Sequence, residues 1–190
     1  MAGYAQPTSL DEAVSLLDSE GWTLLAGGTD VYPSLGEDPV RSALLDVSRI
    51  EGLRGITHAA DGGLRIGALT TWTDIARADL PSSFNALKQA AREVGSVQIQ
   101  NRATLAGNLC NASPAADGVP PLLALDATVE LASRTGRRTM ALGEFLQGNR
   151  KTARSAHEIM TSIEIPASAT LGNSSFFKLG SRRYLVISIA

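Results

Sequence analysis

Thr104-Leu105-Ala106-Gly107-Asn108-Leu109-Cys110-Asn111-Ala112-Ser113-Pro114-Ala115-Ala116-Asp117 is the stretch on which the fold turns. It sets small residues, an amide and a carboxylate on what reads as one short loop. Such a loop brings backbone N–H groups close to an anion and then offers polar side chains to a ring system. A second stretch upstream, Leu24-Leu25-Ala26-Gly27-Gly28-Thr29-Asp30-Val31, has the same character. Together they predict a two-loop cradle for a ligand that is long, flat and phosphorylated.

The glycines carry that reading. Gly27 and Gly28 have no Cβ, so the backbone is free to take positive φ and to approach a pyrophosphate. Consecutive N–H groups then form an anion nest that needs no Lys or Arg. The Thr29 hydroxyl is a further donor, and Asp30 is expected to point away or to cap the next turn. Taken alone, Gly27-Gly28 is ordinary turn punctuation; the second motif is what favours a ligand.

The rest of the chain narrows the class. It has 190 residues, enough for one domain or two small lobes sharing a core, with 44% hydrophobic and 19% charged residues. A net charge of −2 and 5% aromatic content give neither a basic stripe nor a stacking platform for nucleic acid. The single cysteine, Cys110, cannot form an internal disulfide or supply a cluster that needs four thiolates. With only two separated histidines, His58 and His157, a Cys/His zinc site is disfavoured, and both read as surface residues. No run has the length of a membrane span and no signal sequence is evident at the start, so the expected location is the cytoplasm. The carboxylate pairs Asp11-Glu12 and Glu37-Asp38 sit at a helix start and in a loop, not across a cleft.

Local patterns give an α+β sequence of elements. Ser9-Leu10-Asp11-Glu12 reads as a capping box opening a helix that Gly21 ends. Thr23–Ala26 and Ala43–Val47 read as strands joined by a Pro/Gly loop from Pro33 to Pro39. The turn Asp61-Gly62-Gly63 leads to a strand at Leu64–Ala68, and Asp74–Arg77 to a short helix. Phe84, Leu87, Ala91 and Val94 recur at helical spacing. Pro120–Leu125 is a brief helix or apolar plug, Arg134-Thr135-Gly136 turns a hairpin, and Leu142–Leu146 makes a helical turn. Glu158–Ile165 and Ser174–Leu179 read as strands. The expected division is a small lobe over 1–55, a larger lobe over 56–180, and the start of a truncated C-terminal region over 181–190.

Ala26-Gly27-Gly28-Thr29-Asp30, then Thr104-x-Ala106-Gly107-Asn108, then Ala112-Ser113-Pro114-x-x-Asp117, stand in an order that resembles a known family. Ser162-Ile163-Glu164-Ile165-Pro166 and Phe176-Phe177-Lys178-Leu179-Gly180-Ser181-Arg182-Arg183 extend the match. The family is the FAD-binding medium subunit of the xanthine dehydrogenase and carbon monoxide dehydrogenase group of molybdenum hydroxylases. The resemblance implies two α/β lobes of the vanillyl-alcohol-oxidase (PCMH) type, with non-covalent FAD extended between them. It implies cofactor contacts from Leu25, Ala26, Gly27, Gly28, Thr29, Asp30, Val31, Ala103, Thr104, Gly107, Asn108, Cys110, Asp117, Met160 and Lys178. Lys178 would lie near the isoalloxazine and raise its potential, Asp117 would accept from ribityl hydroxyls, and Leu25 and Met160 would pack on a ring. Asp117 also suits a helix N-cap before Val119, Leu25 and Met160 suit plain core filling, and Cys110 suits a small buried hydrophobe. Ala106 stands where the family often has glycine.

As implied, the chain does not oxidise the organic substrate. Molybdenum cofactor would sit on a large subunit and 2Fe–2S clusters on a small one, with NAD or another acceptor taking electrons from FAD. A stand-alone flavin oxidoreductase and a degenerate scaffold without flavin are the alternatives.

Overall fold

The computed structural model describes residues 3–19, 21–36 and 42–178. Two sheets organise it. The first has three parallel strands in the order β1-β3-β2, with β1 at Tyr4–Ala5, β2 at Trp22–Leu25 and β3 at Ala43–Asp46. Helix α1 (Leu10–Leu17) connects β1 to β2 and buries Ala13, Val14 and Leu17 against the sheet. Its N-terminus is half of the expected box: the Glu12 N–H donates to Ser9 Oγ at 3.2 Å, but the Glu12 carboxylate accepts from Thr8, one residue before the cap. Helix α2 (Val31–Leu35) begins before the expected Pro33–Pro39 loop and runs into it. Pro33 is compatible with it because a first-turn residue has no helical N–H bond to lose.

The second sheet has five antiparallel strands in the order β4-β5-β10-β6-β7. These are β4 (Ile56–His58), β5 (Leu64–Gly67), β6 (Thr128–Ser133), β7 (Gly136–Ala141) and β10 (Ile159–Ile165). Short β8 (Leu146–Gly148) and β9 (Lys151–Thr152) form a separate hairpin. Helices α3 (Trp72–Arg77), α4 (Asn85–Glu93), α5 (Val97–Gln100), α6 (Leu105–Asn111), α7 (Val119–Ala124) and α8 (Leu142–Phe145) fill the connections. The apolar faces of α3, α4, α6 and α7 meet the sheet around Trp72, Phe84, Leu87, Leu105 and Leu122, all essentially buried. Each such large side chain contributes roughly 1.5–3 kcal/mol through removal from water. A second apolar cluster joins α1 and β3 to Leu69, Ala132 and Ile159, so the two sheets share packed side chains.

Two expectations change here. The Thr104–Asp117 segment is not one loop: Thr104 caps α6, which runs through Asn111 before the chain turns. Ser174–Lys178 forms no strand; Ser174 Oγ donates to the Ser83 carbonyl at 2.6 Å, and the Phe176 N–H donates to Gln89 Oε1 at 2.7 Å. Side chains around α4 hold this segment instead of a ladder. Leu179 and the Arg182-Arg183 end of the last motif lie outside the described residues.

Candidate functional site

Helices α3 and α6 start side by side. Thr71 and Asp74 complete a capping box on α3, with the Thr71 N–H donating to Asp74 Oδ2 at 2.9 Å. Thr104 caps α6 by accepting the Gly107 N–H on Oγ1 at 3.0 Å. An isolated antiparallel bridge joins Thr71 to Thr104, and the Leu105 N–H donates to the Thr70 carbonyl at 2.9 Å. Across from this pair runs the Ala26–Asp30 loop at the end of β2.

Between loop and helix lies a cavity of about 960 Å³. That is the upper end of the usual range for small-molecule and cofactor sites, ~300–1,000 Å³. Ala26, Gly27, Gly28, Thr29, Asp30 and Val31 line it from one side, and Ala103, Thr104, Gly107, Asn108 and Cys110 from the other. Asp117, Met160 and Lys178 complete the expected set. Leu25 is the exception: it is buried at the end of β2 and does not line the cavity. Its β2 neighbours Trp22, Thr23 and Leu24 line the cavity there.

The two glycines serve different purposes. Gly28 has φ +77°, a conformation that favours glycine, and the Tyr32 ring packs over it. Gly27 does not have positive φ; a Cβ at Gly27 would overlap the Arg102 carbonyl. Its smallness lets the loop lie directly against the backbone that leads into α6. Among the described residues, no protein acceptor meets the N–H groups of Gly27, Gly28 or Thr29. Three consecutive open donors beside a cavity fit an anionic group such as a pyrophosphate.

The opposite wall is more self-contained. Thr104 accepts the Gly107 N–H on its side chain and the Asn108 N–H on its carbonyl, so its hydroxyl oxygen serves as the cap. Asn108 Oδ1 accepts the Gly118 N–H at 3.3 Å, tying α6 to the turn that enters α7. Gly118, not Asp117, occupies the N-cap position of α7. Asp117 Oδ2 instead accepts from Lys178 Nζ at 3.0 Å, both side chains being largely buried. The residue expected near a ribityl chain and the one expected near a flavin ring therefore form one ion pair at the cavity edge.

Asp30 stands at the N-cap position of α2 but makes no capping bond there. Its Oδ1 accepts from Asn111 Nδ2 at 2.9 Å, 81 residues away. Cys110 is the inert thiol expected: burial pushes it up to about 11 from an ordinary 9.0, against a weaker opposing effect of the Arg154 guanidinium. It is a neutral wall residue at pH 7. His58 and His157 are exposed, as expected, and His157 Nδ1 lies 3.0 Å from the Leu17 carbonyl.

The cavity also has lining residues that the sequence did not single out. Trp22, Leu24, Val47, Leu53, Leu69 and Ile159 form an apolar arm, while Asn111, Arg150 and Arg154 bring polar groups. The composition of Gly148-Asn149-Arg150 is a turn signal that could have marked this segment. Nothing local placed it beside α6. Among the described residues there is no group of His, Cys, Asp and Glu able to hold a metal ion, and no helix long and apolar enough to cross a membrane.

Residues 1–168 match the family described as FAD binding domain in molybdopterin dehydrogenase. The chain is 37% identical to the nicotinate dehydrogenase FAD-subunit of Eubacterium barkeri, covering 98% of this chain and 65% of that protein. It is 34% identical to the carbon monoxide dehydrogenase medium chain of Hydrogenophaga pseudoflava over 87% of this chain and 59% of that one. Among solved structures, carbon monoxide dehydrogenase from H. pseudoflava superposes with a TM-score of 0.85 at 28% identity, covering 96% of this chain and 65% of that chain. Quinoline 2-oxidoreductase from Pseudomonas putida 86 gives 0.83 at 27% identity, covering 96% and 64%. The chain thus spans just under two thirds of the length of these relatives. The matched family and the cavity built by its two glycine-bearing segments agree: the chain belongs to the FAD-binding domains of molybdopterin dehydrogenases, the medium-subunit family of xanthine and carbon monoxide dehydrogenases.

Proposed function

We propose that this chain holds FAD as the electron-transfer part of a molybdenum hydroxylase, taking electrons from 2Fe–2S clusters of a partner subunit and yielding them to NAD or another acceptor. The observation that carries the reading is the row of three open N–H groups at Gly27, Gly28 and Thr29 beside a 960 Å³ cavity with an apolar arm. The open N–H groups suit a pyrophosphate and the apolar lining suits a flat ring. FAD, when bound, supplies the redox chemistry, accepting and releasing electrons at its isoalloxazine.

The chain's own residues bind, orient and tune. The Gly27–Thr29 backbone holds the anionic middle of the ligand without a basic side chain. Lys178, held by Asp117, places a cation at the cavity edge, where it favours negative charge on the ring. Met160 and the apolar arm would shield the apolar parts of the bound cofactor from water. Iron–sulfur clusters are assigned to a partner subunit because one cysteine cannot supply the cluster ligands, and the molybdenum centre is assigned to another by the family resemblance. Relatives named for nicotinate, caffeine, xanthine and carbon monoxide differ in substrate. Substrate choice therefore belongs to the molybdenum-bearing partner.

The test is an FAD titration of the purified chain, read by visible absorbance and thermal melting. A ligand that binds the folded state raises the melting temperature by mass action, by the equivalent of about 2.7 kcal/mol at a hundredfold excess over Kd. Flavin bands that stay with the protein, together with that rise, are expected. A chain that passes through gel filtration colourless and melts at one temperature at every FAD concentration overturns the reading.

A further inference from the structure

The cavity rim carries a contact between three segments, of which the FAD reading names only Asp30. Arg150 Nη1 donates to Asn111 Oδ1 at 2.6 Å, and Asn111 Nδ2 donates to Asp30 Oδ1 at 2.9 Å. The three side chains come from the β8–β9 turn, the last residue of α6 and the loop after β2, and all three line the cavity. A guanidinium, an amide and a carboxylate form a chain in which each donor meets an acceptor, with charge at both ends.

The backbone around this chain is held in place at a cost. Ala112 has φ +45° and Arg150 has φ +52°, both in the left-handed region that non-glycine residues seldom adopt. The two meet directly, since the Arg150 N–H donates to the Ala112 carbonyl at 2.8 Å. This bond fixes the turn against the end of α6 and brings the Arg150 side chain within reach of Asn111. Strain of this kind persists where surrounding structure over-determines it, and it concentrates at ligand clamps.

Asp30 is the other informative end. It occupies the N-cap position of α2, yet its carboxylate makes no capping bond there. It reaches across to Asn111 instead. The Gly27–Asp30 loop is thus fastened twice to the opposite wall: by close backbone packing of Gly27 on Arg102, and by the side chain of Asp30 on Asn111. The open N–H groups of Gly27, Gly28 and Thr29 lie between the fastenings.

We propose that Asp30, Asn111 and Arg150 form a clasp over the cavity rim, and that Arg150 and Asn111 are positioning residues that set how long the chain retains its FAD. This rests on the FAD reading above. Asp30 and Arg150 are exposed and Asn111 is half-buried, so the clasp contributes little to global stability. Its effect falls on the order of one loop, and therefore on the rate at which a ligand escapes.

The donor–acceptor pattern provides the test. Asn111→Asp sets a carboxylate against Asp30. Adding Asp30→Asn restores an amide donor at 30 and leaves an acceptor at 111 for Arg150. Release of FAD from the full chain on dilution is followed by flavin fluorescence, beside the melting temperature of each FAD-free variant. Asn111→Asp is expected to release FAD about tenfold faster, and the double variant to return to within about threefold of wild type. Arg150→Ala, at an exposed site that leaves the fold intact, is expected to speed release several-fold, and Arg150→Lys to recover part of the loss. A double variant that releases FAD as fast as Asn111→Asp overturns the clasp. So do Arg150 variants whose melting temperatures fall while release stays at the wild-type rate. A wild-type chain that takes up no FAD overturns both this inference and the FAD reading, whereas uptake with unchanged release in every variant overturns the clasp alone.

Discussion

The two walls of the cavity have the same character in the sequence, yet they are built on opposite principles. The Ala26–Asp30 loop keeps its backbone donors at Gly27, Gly28 and Thr29 free of protein acceptors. The Thr104–Asn111 segment has its first donors met by protein acceptors: Leu105 by the Thr70 carbonyl, Gly107 by the Thr104 hydroxyl, Asn108 by the Thr104 carbonyl. One wall offers polar groups and the other offers shape. A glycine in the first makes room for contact between segments, and a glycine in the second sits beneath a cap. A motif of small residues around a ligand therefore does not show which of its glycines face that ligand.

The sharpest way to break this comparison is Gly27→Ala. A single methyl at Gly27 would overlap the Arg102 carbonyl, backbone that cannot step aside like a flexible side chain. The expected cost is about 3 kcal/mol, the upper range for overpacking, together with loss of FAD binding because the walls are driven apart. Urea unfolding of the FAD-free protein beside an FAD titration measures both. A variant as stable as wild type would mean that the walls do not touch at Gly27 and that the glycine serves the ligand after all.

The expected elements that held were those whose signals are local. The β6–β7 hairpin is announced by Arg134-Thr135-Gly136, α4 by its apolar spacing, and α3 by Asp74–Arg77. The expectations that failed depended on distant partners. The α6 segment reads as a loop because Gly107, Asn108 and Asn111 weaken a helical pattern; what makes it helical is Thr104 at its start and packing of Leu105 and Leu109 in the core. Ser174–Lys178 has strand-like residues but meets α4, whose Gln89 takes its N–H group where a strand would. At the site, fourteen of fifteen expected residues line the cavity, and Leu25 is buried at the end of β2 instead. Asn111 and Arg150 could not be found from sequence, because a polar chain closing over 39 and 81 residues leaves no local spacing to read.

A second experiment asks whether the floor beneath both walls is independent of them. Glu158 precedes β10, the strand that carries Ile159 and Met160 into the cavity. The Arg138 guanidinium grips its carboxylate at 2.6 and 2.9 Å, and the Ser155 N–H donates to it at 2.8 Å. The Arg138 hydrogen bond holds Glu158 below its ordinary 4.5, against the opposing effect of burial. A carboxylate depressed in the folded state adds stability above its unfolded value, and that contribution is lost as pH falls through the folded one. Acid unfolding should therefore steepen below about pH 4.5, and Glu158→Gln should flatten that limb while costing roughly 2 kcal/mol at pH 7. FAD affinity at pH 7 should stay within about threefold, since neither wall is bonded to this group. A large loss of affinity would show that the walls are set from below and that comparing them in isolation is mistaken.

The smallest effect separates the walls most cleanly. Thr104→Ala removes the hydroxyl that accepts the Gly107 N–H, and loss of such a cap costs about 1 kcal/mol. If the α6 wall contributes shape alone, the variant melts lower yet binds FAD nearly as tightly, because the uncapped Gly107 N–H is a donor gained beside the cavity. Thr104→Ser, which keeps the oxygen, should restore the melting temperature. If FAD affinity instead falls with Thr104→Ala by more than the cap accounts for, and Thr104→Ser restores it, then the hydroxyl reaches the ligand as well as the helix. The second wall would then be a binding surface whose donors are shared, and the contrast with the Gly27–Thr29 loop would be one of degree. Isothermal titration of FAD into the three proteins at one temperature decides between the two.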